Sequence, residues 1–173
     1  ECPDYPYTSR PYYGLALTLG GGEMKPLELT GAYAALANAG VWVEPTAIMW
    51  IEDANGQTLM DNRTPEGKQV VSAQLAYLIT NILSDTRARC MVFSCPNSLE
   101  LPGRQVAAKT GTTNDYRDSW TVGYTPDLVA GVWLGNNDNS EMDRVAGSAG
   151  AGPIWNAFMT RALEGAPARD FPQ

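Results

Sequence analysis

Histidine is absent from all 173 residues. That removes Ser-His-Asp and Cys-His catalysis from this chain alone, and every metal site that needs an imidazole ligand. Basic side chains are scarce, 12 against 19 acidic ones, for a formal charge of −7. They are also scattered, whereas phosphate binding needs clustered Lys and Arg, so nucleic acid is not an expected partner. No apolar run approaches the ~20 residues that span a bilayer, and no signal peptide opens the sequence. The start, Glu1-Cys2-Pro3-Asp4-Tyr5-Pro6-Tyr7, has no initiator methionine and reads as a loop, so a piece of something longer is expected.

Cysteine is nearly absent too, with three residues in total. Cys90 and Cys95 stand five positions apart in Cys90-Met91-Val92-Phe93-Ser94-Cys95-Pro96, close enough to close a small disulfide ring. A metal pair would want Cys-x-x-Cys and further ligands, and none follow. Two unpaired, partly buried thiols fit the spacing equally well. Cys2 has no obvious partner in the chain.

What is present suffices for one domain. Hydrophobic residues make up 44% of the chain, enough for a buried core despite 17 glycines and 12 prolines. Pro26 stands at a first helical position, with Leu29, Tyr33 and Leu36 on one side and Ala32, Ala35 and Ala39 on another. Gly40 supplies the stop. From Val41 the pattern turns to strands, with Thr46–Glu52 and Gln57–Met60 flanking the hairpin signal Asn55-Gly56. A loop with Pro65 and Gly67 leads to Ser72, a good N-cap. Leu75, Leu78, Ile79, Ile82 and Leu83 then define one face of a helix ending near Arg87. A polar, cysteine-containing loop runs on to about Gly103.

Gln105–Thr110 reads as a strand running into Gly111. Ser119–Tyr124 alternates, with Trp120, Val122 and Tyr124 on one face and Ser119, Thr121 and Gly123 on the other. Thr125-Pro126-Asp127 turns the chain into Leu128–Leu134, an apolar run expected for a strand covered on both faces. Pro153 opens a last helix with Trp155, Phe158, Met159, Ala162 and Leu163 on one face, and residues 166–173 read as a frayed tail. The expected class is α/β (α+β): an antiparallel sheet with helices packed on it.

The candidate site is Lys109-Thr110-Gly111-Thr112-Thr113. It puts a cation, hydroxyls and a position without a side chain at one strand end. Gly111 lets a ligand approach the main chain, and the Thr112 amide can donate to a developing oxyanion. An ammonium at Lys109 holds a carboxylate as a point charge, or passes protons if its pKa is lowered. On the tripeptide alone, an ordinary strand end followed by a glycine turn is the better account.

The surroundings reverse that judgement. The run Lys109-Thr110-Gly111-Thr112-Thr113-Asn114-Asp115-Tyr116-Arg117-Asp118-Ser119-Trp120, followed by Val122-Gly123-Tyr124-Thr125-Pro126 and Gly131-Val132-Trp133-Leu134-Gly135-Asn136-Asn137-Asp138, resembles the transpeptidase domain of class A, bifunctional penicillin-binding proteins. Leu27-Glu28-Leu29-Thr30-Gly31-Ala32-Tyr33, the Asn55-Gly56 hairpin and Gly152-Pro153-Ile154-Trp155 resemble it as well. The likeness runs nearly the whole chain in order and weakens only between Arg87 and Gly103.

The resemblance implies a penicillin-recognising, β-lactamase-like serine transferase fold, incomplete in this chain. Such enzymes acylate a serine with a stem peptide ending in D-Ala-D-Ala and pass the acyl group to an amine; β-lactams acylate the same serine. Ser-x-x-Lys, Ser-x-Asn and Lys-Thr-Gly carry this chemistry. Only the third occurs: no serine here has lysine three positions on or asparagine two on. The resemblance gives Lys109 the positive charge, Thr110 and Thr112 the ligand carboxylate, and the Thr112 amide half of the oxyanion hole. It makes Gly111 and Thr113 substrate-binding positions beside them, and Tyr116 another at the mouth of the cleft.

Residues 1–173 are therefore expected to be the C-terminal part of one transpeptidase domain, with the nucleophile upstream. The expected partners are that upstream half, peptidoglycan stem peptides and β-lactams, outside the cytoplasm, with a membrane reached only through an upstream anchor; no cofactor is expected. D,D-carboxypeptidases and serine β-lactamases share the triplet without the long pattern after Asp115, and a non-catalytic module offering a groove is a further alternative. An unpaired sheet edge and an uncovered helix face are expected to hold the two halves together. Asp115, Arg117 and Asp118 read as a loop ion pair, and Asp138, Glu141 and Asp143 as solvated charge. Trp120 and Trp133 read as core.

Overall fold

The computed structural model describes residues 14–172; Cys2 lies outside them. After a 3-10 turn at Gly14–Leu19, helix α1 spans Pro26–Ala37. Proline suits its first turn because an amide proton there would find no partner inside the helix. Ala39 and Gly40 end the helix at φ 51° and 85°. A Cβ on Gly40 would stand 2.1 Å from the Val71 carbonyl oxygen, so only glycine fits. Of the alanine row, Ala35 is buried, while Ala32 and Ala39 are exposed.

Two small antiparallel ribbons follow. Strand β1 (Val41–Val43) pairs with β4 (Gly67–Gln69), a stretch the sequence presents as loop. The glycine that suggests a loop is there because a Cβ would lie 2.4 Å from Val41 Cγ1. Between them, β2 (Trp50–Glu52) and β3 (Thr58–Asp61) form the expected hairpin. Its turn is closed by the Asp53 carboxylate, which accepts the N–H groups of Asn55 at 2.9 Å and Gln57 at 2.8 Å. Those bonds favour the ionised form and hold its pKa below the usual carboxylate value.

The Ser72 hydroxyl accepts the Leu75 N–H and caps α2, Ala73–Ser84. The helix stops earlier than its apolar periodicity suggests. Asp85 takes an extended backbone, and its carboxylate accepts the Ala88 N–H at 3.0 Å, starting α3 at Thr86–Cys90. Arg87 and Arg89 thus sit at the end of α3, where cations meet the negative end of the dipole. Arg89 donates to the carbonyls of Leu83 and Leu99, tying the end of α2 to the loop beyond. In that loop Cys90 and Cys95 are joined as a disulfide.

The central sheet has the order β5 (Ala107–Thr112), β6 (Asp118–Tyr124), β7 (Val129–Gly135), all antiparallel. Helix α4 (Ala151–Ala162) covers one face, and α1 and α2 pack on the other. On the α4 side, Gly123 has no side chain because Trp155 lies directly on it; a Cβ there would be 2.6 Å from Trp155 Cζ2. Trp155 is fully buried with Met159, Leu163, Ala108, Ala130 and Val106. Its indole N–H reaches the Ala130 carbonyl at 3.1 Å. Phe158 and Ala162, expected on the same face, are exposed: the buried stripe runs 151, 155, 159, 163, and both lie beside it.

On the other side, Tyr124 is fully buried between Tyr33 and Phe171, with ring centroids 6.2 and 5.5 Å away in edge-on contact. Its hydroxyl meets Thr80 of α2 at 2.8 Å. Phe171 corrects the expectation of a frayed tail. It is buried, its N–H bonds Gln105 Oε1 at 3.0 Å, and Arg104 holds the carbonyls of Leu163, Ala166 and Pro167. Trp120 and Trp133 are not core either. They pack on each other at 6.5 Å, with Trp133 38% exposed. Helix α1 lies on the sheet at Gly131, where Thr30 occupies the space a side chain would take.

Candidate functional site

Strand β5 carries the Lys-Thr-Gly triplet, and it is an edge strand. Strand β6 pairs one side of it, and among the described residues no strand pairs the other. Alternation places Lys109 and Gly111 on the face of α1 and α2, and Thr110 and Thr112 on the α4 face. A ligand lying along an open edge reaches both sets of side chains and the main chain between them; beside an inner strand it could not. The Thr113 N–H bonds the Asp118 carbonyl on β6 at 3.1 Å. The alternation of a strand then directs the Thr112 N–H to the open edge.

Lys109 is exposed, with its ammonium 2.7 Å from the Thr110 carbonyl oxygen. Among the described residues it makes no ion pair, so a cation stands at the edge without a counter-charge. Gly111 is open on its α1 side: a Cβ would only touch Trp120 at 3.4 Å. The room beside the main chain is therefore real.

Thr113 is used differently. Its hydroxyl donates to Asp118 Oδ2 at 3.1 Å and accepts the Asp118 N–H at 2.8 Å, closing the turn between β5 and β6. Asp118 Oδ1 also accepts the Trp133 indole N–H at 2.8 Å. Within the turn, Asp115 and Tyr116 both adopt left-handed backbone, φ 59° and 53°. Tyr116 is 40% exposed at the same end of β5 as Thr112, and its carbonyl accepts the Met142 N–H at 3.1 Å. Arg117 does not pair within the turn. It binds Glu141 at 3.1 Å and the Asn139 carbonyl, so the two loops at this end of the sheet are tied together.

The part that sequence reasoning missed is the turn before α4. Ser119 and Thr121 of β6 are fully buried beneath it. The Ser119 hydroxyl donates to the Ala146 carbonyl and accepts the Ala151 N–H, both at 3.2 Å; Thr121 donates to the Gly147 carbonyl at 3.2 Å. The Gly147 N–H then donates to Thr112 Oγ1 at 2.9 Å. The available signal was the run of small residues, Ala146-Gly147-Ser148-Ala149-Gly150-Ala151-Gly152, which lets a backbone lie directly on a sheet.

Among the described residues, the one His/Cys/Asp/Glu group close enough to share a metal is Cys90, Cys95 and Glu100, and its two sulfurs are bonded to each other. Two concavities lie away from β5, one lined by Pro96–Gly103 with Pro153 and Asn156, the other by α1, α2 and Phe171. Neither is lined by a residue of the Lys-Thr-Gly edge.

Comparison with known proteins agrees with this architecture. The family model for the penicillin binding protein transpeptidase domain matches residues 13–160. Penicillin-binding protein 2D of Bacillus subtilis (strain 168) is 37% identical over 161 residues, 90% of this chain and 23% of that protein. Penicillin-binding protein 1A of Aquifex aeolicus (strain VF5) is 37% identical over 168 residues, 94% of this chain and 22% of that protein. Among solved structures, PonA1 from Mycobacterium tuberculosis in complex with penicillin V matches with TM-score 0.81 and 31% identity, covering 91% of this chain and 43% of that one. The chain spans under a quarter of the length of these two curated relatives. With its open Lys-Thr-Gly edge and a matching pattern from α1 to α4, the chain belongs to the transpeptidase domain family of class A penicillin-binding proteins.

Proposed function

We propose that the chain supplies one wall of a peptidoglycan D,D-transpeptidase that works through an acyl-serine, the serine coming from an upstream half of the same domain. In this reading Lys109 and the hydroxyls of Thr110 and Thr112 hold the anionic end of a stem peptide or a β-lactam. The Thr112 amide stabilises the oxyanion as the serine adds to the carbonyl. The acyl group then passes to an amine of a neighbouring strand. The substrate lies outside the cytoplasmic membrane, and so does this domain, carried there by an anchor elsewhere in the protein.

The observation that carries the reading is the edge of β5: among the described residues no strand pairs it, its ammonium has no acidic partner, and an outward amide stands three residues further on. The upstream half is supported by two further features. Strand β7 has no neighbour on its outer side among the described residues. Leu75, Leu78 and Ile82, on the apolar face read for α2, are 47, 57 and 69% exposed. Helix α2 instead buries Ala76 and Thr80 against the sheet. A row of large apolar side chains left in water marks a face made for another segment.

Lys109→Ala in the full-length protein tests the role of the ammonium. Losing a hydrogen bond to a charged ligand costs ~1.5–3 kcal/mol, a fall in the acylation rate by benzylpenicillin of about 10- to 100-fold. An unchanged rate would remove Lys109 from the site.

A further inference from the structure

The turn before α4 lies across two residues that face each other in the sheet. Thr112 of β5 and Ser119 of β6 are directly paired, and both side chains point to the α4 face. One peptide unit, Ala146–Gly147, spans them. Its carbonyl accepts the Ser119 hydroxyl at 3.2 Å, and its N–H donates to Thr112 Oγ1 at 2.9 Å. We propose that Gly147 is a positioning residue for ligand binding: its N–H holds the Thr112 side chain so that the hydroxyl proton remains for an anionic ligand. This rests on the reading of Thr112 as a contact for the ligand's carboxylate.

A peptide unit is planar, so fixing its carbonyl also fixes its N–H. The Ala146 carbonyl is held three times over, by Ser119 and by the N–H groups of Ala149 at 3.0 Å and Gly150 at 2.8 Å. The direction of the Gly147 N–H therefore hangs on no single partner. What residue 147 itself contributes is closeness to the strand. A Cβ there would stand 2.6 Å from the Gly111 carbonyl oxygen, 2.7 Å from that of Trp120 and 3.1 Å from Thr110 Cβ. A side chain would have to lift the turn off β5, and that draws the N–H away from Thr112.

Thr112 is exposed, and its hydroxyl carries one proton and two lone pairs. With the Gly147 N–H on one lone pair, Oγ1 is fixed in place. Its own proton cannot point at the turn, where it would meet the amide proton. Accepting that bond also makes the O–H a better donor. Lys109 can follow a carboxylate on a flexible stem, whereas Thr112 serves one only from a fixed position.

The test uses the full-length protein carrying Gly147→Ala. Acylation is measured with benzylpenicillin, which has a carboxylate, and with its methyl ester, which has none. Loosening one hydrogen bond lowers the rate for the acid about 3- to 10-fold and leaves the ester's rate as in the parent. In a Thr112→Val background, Gly147→Ala lowers the acid-to-ester ratio no further, because both act through one hydroxyl. An equal loss with both probes, no loss with either, or a further fall in the double variant overturns the proposal. If Gly147→Ala does not fold, Ala146→Gly decides by the same ratio. That change adds no atom and loosens the peptide, for an expected fall of about 2-fold with the acid alone; an unchanged ratio overturns the proposal. Thr112→Val by itself separates the two readings. If it leaves the ratio unchanged, the carboxylate reading fails and takes the proposal with it. If it lowers the ratio and Gly147→Ala does not, positioning alone fails.

Discussion

At the scale of single residues, neighbouring side chains of one strand end are used in different ways. Among the described residues Lys109 forms no ion pair, while Thr112 and Thr113 each engage a neighbouring turn. Thr113 illustrates how far a motif can be read. Its place in the run resembles a ligand contact, yet its proton is committed to Asp118. The sequence shows which residue types stand at a strand end. It cannot show which hydroxyl is already satisfied, because Asp118 and Gly147 reach them only through the folded turns. Ser119 and Thr121 were invisible for the same reason, since alternation assigns them a common face without saying that this face is the buried one.

At the scale of elements, local signals were legible wherever they act over a few residues. The Ser72 cap, the proline starting α1 and the Asn55-Gly56 hairpin lie where the sequence puts them. Strand β4 was not legible, because three residues opening with glycine make a strand only through β1 beside them. Likewise the stop of α2 depends on the Asp85 carboxylate turning back to cap α3. A buried hydrogen bond between Thr80 and Tyr124 joins α2 to the sheet. Thr80→Val leaves the Tyr124 hydroxyl buried without a partner, so the full domain should lose about 1–3 kcal/mol in a denaturant titration.

The same pair predicts an alkaline limit. Burial raises the pKa of Tyr124, and of Tyr33 against it, above the ordinary phenol value. A phenol with a raised folded pKa favours the fold fully below the unfolded value of about 10, and that contribution fades as pH climbs through the folded value. Stability followed by thermal melting should therefore be level through neutral pH and fall above about 10. Ultraviolet titration of tyrosinate should show a late step that coincides with unfolding. A late step with no loss of structure would contradict the assignment.

At the scale of the whole molecule, the surfaces left uncovered among the described residues are those on which the proposed upstream half would sit. The outer side of β7, the α2 face at Leu75, Leu78 and Ile82, and the β5 edge are three surfaces with unfinished business for a sheet-and-helix fold. The general architecture was legible because the alternating strands and the helical stripes each repeat several times. The finer assignments of surface failed where cover comes from elsewhere. Trp120 and Trp133 look like core by composition, but they pack on each other and Trp133 remains 38% exposed. The tail from residue 166 looks frayed by composition, but Tyr124 provides a seat for Phe171. Both outcomes are decided by packing between distant segments.

The most direct test is intact-mass measurement after exposure to benzylpenicillin, on residues 1–173 alone and on the same chain combined with its upstream half. The account predicts no covalent adduct on the lone chain. With the upstream half present, it predicts one penicilloyl group per complex, carried on a serine of that half. A stable adduct on residues 1–173 by themselves would contradict it.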